Sequence, residues 1–177
     1  MVFYFEKFFM RISKWQLESI LEKSRWKDTS SDPENWCQEI PDWFQCLSTS
    51  LAIEELLGGK IIGQEILFID PDVRVRKRLE DNSLWWEKRA YHFFNIINWI
   101  RLDLTESQLL EWGKTVYKKQ KVMHSTGSEI INILCPNISD KKNLLLNRIK
   151  KNLCEVLSIN LEWLNNYLMV NKLQLID

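Results

Sequence analysis

The stretch DWFQCLSTSLAIEELLGG (42–59) sets a cysteine where a loop containing Pro41 gives way to a run that reads as one helix, residues 46–57. Gly58 or Gly59 would end that helix in a left-handed cap. On its surface Cys46, Ser50, Ile53 and Leu57 stand one above another, so the thiol lies in the first turn and faces the protein body. A cysteine there is either small apolar filling or a nucleophile, because the partial positive charge at a helix N-terminus favours thiolate.

Working outward, KIIGQEILFI (60–69) and RAYHFFNII (89–97) read as strands from their Ile, Phe and Tyr content, and IRLDL (100–104) follows as a third. Thr105 then opens TESQ, the spacing of a capping box, for a helix through about Gly113. Upstream, Ser13 caps a helix running to about Trp26, with Leu17, Ile20 and Leu21 on one face. Between the two helices, residues 27–45 form a long polar loop, a length that usually carries function. From Ser125 onward the chain is rich in Asn, Lys and Leu and shows no strand alternation. Residues 139–157 predict a helix with Ser139 as N-cap and Leu145, Ile149, Leu153 and Val156 at helical spacing. The expected organisation is an α+β domain over 1–120 and a helical C-terminal extension over 121–177. That extension packs against the domain or against a second copy, giving a homo-oligomer.

A nucleophilic thiol needs a base, and His92 lies on a predicted strand. Strand alternation puts His92, Phe94 and Ile96 on one face and Tyr91, Phe93, Asn95 and Ile97 on the other. If the chain reverses through a two-residue turn at Asn98-Trp99, residue 97 pairs with 100 and 94 with 103, which brings Asp103 to the His92 face. A three-residue turn would send Asp103 to the far side. With the first register, Cys46, His92 and Asp103 form a nucleophile, a base and an orienting carboxylate. The oxyanion donors would be the Cys46 N–H and the Gln45 side chain. Trp36 and Phe44 would line the cleft. Asn95 is a further candidate for the substrate side, although its strand face argues for a structural bond to loop backbone.

Composition narrows the classes. Lys+Arg and Asp+Glu balance at 24 each, and the basic run VRVRKR (73–78) is bracketed by Asp70, Asp72, Glu80 and Asp81, so no nucleic-acid partner is expected. The apolar start MVFYFEKFFM is broken by Glu6 and Lys7 and no stretch reaches a spanning length, which predicts no signal peptide, no membrane association and a cytoplasmic location with reduced thiols. The four cysteines contain no C-x-x-C, and neither His92 nor His124 has a second ligand close in sequence, so no metal site is expected. No organic cofactor is expected either, since thiolate chemistry needs only a base and oxyanion donors.

The run SRWKDTSSDPENWCQEIPDWFQCLSTSLAIEELLGG (24–59), followed by HFFN (92–95) and LDLTESQL (102–109), resembles the small bacterial YunG-like family. That family in turn resembles the papain-like and transglutaminase-like proteins, in which a helix-start Cys faces a strand His and a next-strand Asp or Asn. Phe44 stands where the family tends to carry Gly, and Asn98-Trp99 stands in place of an Asp-Gly turn. The resemblance implies a papain-like/transglutaminase-like α+β core, with the helix-start Cys packed on a small antiparallel sheet. It also implies a cysteine-dependent acyl-transfer enzyme (peptidase, amidase, deamidase or transglutaminase-like) acting on a peptide, amide or protein substrate. The competing expectation is an inactive binding or regulatory module that keeps the fold and buries Cys46 as filling.

Overall fold

The computed structural model describes residues 10–30, 33–34, 45–71, 89–111, 113–123 and 137–176. Trp36, Cys37, Gln38, Phe44, the basic run 73–78, His124 and Cys135 lie outside them.

Strand β1 (Arg11–Ser13) leads directly into helix α1 (Lys14–Ser24). Ser13 caps it as expected, in a reciprocal box: Gln16 N–H donates to Ser13 Oγ at 3.2 Å and Ser13 N–H to Gln16 Oε1 at 3.0 Å. The helix stops two residues short of Trp26, because Arg25 turns to extended backbone and its guanidinium donates to the Leu104 carbonyl at 2.6 Å. A 3-10 turn (Lys27–Thr29) follows.

Helix α2 (Cys46–Leu57) has the predicted bounds. It is buried on nearly every side, with only Glu54 and Glu55 partly open, which makes it the central helix of the fold rather than one with a single inward stripe. Both closing glycines take positive φ, 76° at Gly58 and 92° at Gly59. Gly58, with ψ −154°, lies in a glycine-only extended region and not in the left-handed cap anticipated; that geometry aims the chain straight into β2. A Cβ at Gly59 would stand 2.5 Å from the Ile96 carbonyl oxygen, so the strand crossing requires its absence.

The main sheet is antiparallel, in the order β4-β3-β2-β5: Ile100–Leu102, Arg89–Ile97, Lys60–Pro71 and Gly113–Met123. Gln64 pairs with His92 and Ile62 with Phe94. The β3–β4 turn is the two-residue one: Ile97 pairs with Ile100, Asn95 with Leu102, and both Asn98 (φ 50°) and Trp99 (φ 69°) take the positive φ that such turns demand.

Strand β5 has no counterpart in the sequence reading, which predicts a helix through about Gly113 and a helical extension over 121–177; β5 takes in Gly113 and residues 121–123. The helix predicted to run to Gly113 is the five-residue α3 (Ser107–Glu111). In sequence GKTVYKKQKVM lacks clean alternation, though its Thr, Val and Tyr favour strand; β5 stands at one end of the order among the described strands. β5 runs through position 120, where the sequence reading sets a domain boundary.

Helix α4 (Ile138–Leu157) matches its expectation closely. Its N-cap is Asn137 in left-handed conformation, which moves Ser139 into the first turn. Leu145, Ile149 and Leu153 are fully buried, whereas Val156 is 45% exposed. Those residues join Leu17, Ile20, Leu21, Ala52, Ile53 and Leu56 in a single apolar cluster, so α1, α2 and α4 share one core. Full burial of each Leu or Ile is worth about 1.5–3 kcal/mol. Helix α5 (Leu161–Val170), which falls in the expected helical extension without having been delimited, and strand β6 (Gln174–Ile176), not foreseen, close the fold: β6 pairs in parallel with β1, Ile12 opposite Leu175. Asn160 caps α5 through its side chain. The architecture is therefore α+β with a small antiparallel sheet.

Candidate active site

Cys46 is the first residue of α2 and 5% exposed. Its position there is fixed by Gln45, whose side chain is fully buried and tied at both ends to the 3-10 turn. Gln45 Oε1 accepts from Thr29 Oγ1 at 2.7 Å, and Gln45 Nε2 donates to the Trp26 carbonyl at 3.2 Å. Ser48 Oγ adds a bond to the Thr29 carbonyl at 3.2 Å. Gln45 thus anchors the start of the helix. Asn95, 2% exposed, donates from Nδ2 to the Ser50 carbonyl at 3.0 Å and fastens β3 to α2; its partner is helix backbone, not the loop backbone expected.

The structure brings Cys46, His92 and Asp103 together. The Cys46 thiol lies close enough to the His92 ring to act on its protonation, and its Sγ is 3.9 Å from the Tyr91 carbonyl. His92, with no exposed surface, meets Asp103 Oδ2 through Nε2 at 2.8 Å. The carboxylate only accepts, so Nε2 carries a proton and Nδ1 is the nitrogen left for Cys46. Asp103 is also held by the backbone N–H of Thr105 (3.3 Å to Oδ1) and by Arg101 Nη2 (2.7 Å to Oδ2). Arg101 lies over the Phe94 ring, 4.2 Å from its centroid, and Phe94 neighbours the His92 ring at 6.4 Å. One face of the β3–β4 hairpin is thus a stack of guanidinium, phenyl and imidazole.

The electrostatics follow from that geometry. Burial alone would push the His92 pKa down; the Asp103 hydrogen bond, the Cys46 hydrogen bond and the charges of both outweigh it and raise the pKa to about 9. Burial likewise works to raise the Asp103 pKa, but the bond and charge of His92, followed by those of Arg101, hold it below the ordinary carboxylate value. At neutral pH this arrangement carries an imidazolium between an ionised carboxylate and a sulfur.

Sequence reasoning missed two neighbours. Arg101 sits on β4, two residues before Asp103, which directly follows the strand. Gln108 is fully buried with Nε2 3.4 Å from His92 Nδ1. The sequence reading makes it the closing residue of a capping box, yet its side chain reaches the imidazole instead of turning back toward Thr105; the usable signal was a Gln five positions past the Asp, in the first turn of α3. Among the described residues no cluster of three or more His, Cys, Asp or Glu is arranged to hold a metal ion, and no helix is long and apolar enough to cross a membrane.

Compared with curated proteins and with solved structures, the chain finds no match. The family model described as YunG protein matches residues 13–153, from the Ser13 cap through most of α4. That span holds the helix-start cysteine, the hairpin and most of the shared core, and by it the chain belongs to the YunG protein family.

Proposed function

We propose that this chain is a cysteine-dependent acyl-transfer enzyme of papain-like or transglutaminase-like layout, with Cys46 as nucleophile, His92 as acid and base, and Asp103 as the group that orients the ring. The observation that carries this reading is the meeting of three largely buried groups, with Cys46 beside the His92 ring and His92 Nε2 bonded to Asp103 Oδ2 at 2.8 Å. In the proposed reaction the Cys46 thiolate attacks an amide or thioester carbonyl carbon, and the carbonyl π pair moves to oxygen. The backbone N–H of Cys46 has no acceptor within its own helix and faces the oxyanion. When the intermediate collapses, the bond to the leaving group breaks and His92 Nδ1 gives it a proton. Water, or an acceptor amine, then attacks the thioester and yields its proton to Nδ1, and the sulfur departs as thiolate. The substrate side is a peptide, amide or protein acyl group.

Burial of Cys46 at 5% exposure favours a second reading, a non-catalytic module in which the thiol fills space. Alkylation separates the two. In the enzyme reading, iodoacetamide modifies Cys46 rapidly at pH 6, faster than Cys154, as read by peptide mass mapping; His92→Ala slows Cys46 by about tenfold or more. Equal, slow modification of Cys46 with and without His92 refutes the enzyme and leaves the module.

A further inference from the structure

Gln108 carries the least satisfied polar group near this site. Its side chain is 0% exposed, Nε2 stands 3.4 Å from His92 Nδ1, and Oε1 has no hydrogen-bond partner among the described residues. An unpaired buried amide oxygen costs about 1–3 kcal/mol. A half-turn about the last side-chain torsion exchanges oxygen and nitrogen with almost no change of shape.

His92 Nε2 keeps its proton against Asp103, so Nδ1 is the atom whose protonation changes. When bare, Nδ1 accepts from Gln108 Nε2. When protonated it must donate, and Gln108 Nε2 then presents a second donor to it. The half-turn removes that conflict and pairs the orphaned oxygen in one movement, since Oε1 becomes the acceptor for Nδ1–H.

We propose that Gln108 is a positioning residue for His92, whose amide turns with the protonation of Nδ1 and keeps the ring aligned while the Cys46 sulfur is occupied. This rests on the acyl-transfer reading. In the tetrahedral intermediate the sulfur, now bonded to carbon, has lost its negative charge and no longer attracts Nδ1–H; Gln108 Oε1 accepts that hydrogen in its place until the leaving amine takes the proton at collapse. The amide then turns back, and its long contact to bare Nδ1 is weak enough for water to displace. The other groups around the ring are Asp103 on Nε2, Arg101 behind that carboxylate with Glu106 3.8 Å from it, and Cys46 from α2. β2 presents Gln64 opposite His92 in register, an amide that does not titrate.

The test follows the side-chain amide signals of Gln108 and the ring signals of His92 by NMR against pH in the full chain. The Gln108 signals are expected to shift with the same midpoint as His92. Gln108→Met lowers the His92 midpoint by about one unit, roughly a tenfold loss of proton affinity, and Gln108→Glu raises it. Gln108 signals that stay flat through the His92 titration overturn the proposal, and that measurement needs no variant to fold. None of these readouts uses turnover. A responsive Gln108 beside an inert Cys46 upholds the ring contact and ends the acyl-transfer reading, whereas a flat Gln108 beside a fast-reacting Cys46 does the reverse.

Discussion

Asp103→Asn removes one charge while leaving the shape of the site nearly unchanged, and its consequence for His92 can be worked from the structure. In the native chain the ring is raised from 6.5 to about 9 against the opposing effect of burial. That difference of roughly 2.5 units corresponds to about 3 kcal/mol at 1.36 kcal/mol per unit. The substituted side-chain amide still accepts from Nε2 but supplies no charge, so burial is opposed chiefly by Cys46 and the midpoint is expected to fall below 6.5. At pH 7 the native ring is about 99% charged; in the variant it is mostly neutral. The stability profile changes sign with it. A folded pKa above the unfolded value gives stability that is complete below about pH 6.5 and is lost as pH rises through about 9. With the folded pKa depressed, the unfolded chain binds the extra proton and stability instead rises with pH up to about 6.5. The chain has two histidines, so the imidazole Cε1–H signals give a two-line NMR titration, and urea melts from pH 5 to 9.5 read the stability. A His92 midpoint in Asp103→Asn within about half a unit of the native one refutes the account, since the carboxylate would then not be what holds the charge.

Trp99→Gly should stabilise the fold by about 1 kcal/mol, a rise of about 2–4 °C in melting temperature, because a 97% exposed tryptophan at φ 69° gives up almost no contact and sheds left-handed strain; a lower melting temperature would show that the indole has a packing role. Ile149→Ala should cost about 2–5 kcal/mol in chemical unfolding, with one cooperative transition, since Ile149 is fully buried in the cluster that α4 shares with α1 and α2; a loss under 1 kcal/mol would contradict that shared core.

Much of the site's framework was legible because alternation is a strong constraint. HFFNII fixes which strand residues share a face, and a two-residue reversal then places Asp103 by parity, although Asn98-Trp99 has no glycine to announce the turn. Ser13 and Gly58-Gly59 announced helix limits for local steric and hydrogen-bonding reasons, which act the same way in any tertiary setting. β5 was hidden because its lysine-rich sequence, GKTVYKKQKVM, shows no period-two alternation to mark a strand. Gln108 was hidden because its local pattern, Thr-x-x-Gln, has two outlets: back to the cap or across to another element. Only the position of the β3 imidazole decides between them. The anchoring of Gln45 by Trp26 and Thr29 escaped notice for the same reason, as residues sixteen or more positions apart carry no local signature of meeting.

The pairing of β1 with β6 bears on the order in which the molecule assembles. Met10 N–H reaches the Tyr167 hydroxyl 157 positions away, the Gln174 N–H bonds the Met10 carbonyl, and the Leu173 N–H bonds the Leu56 carbonyl at the end of α2. Contacts of such separation form late, since the chain must close a long loop before they reward it. The helix that carries Cys46 at its head is therefore fastened at its tail by residues made more than a hundred positions afterwards. During synthesis the hairpin and α2 can form early, but the helix that carries Cys46 is clamped only once residues 173–176 are available, and an incomplete chain would present Cys46 on an unfastened helix.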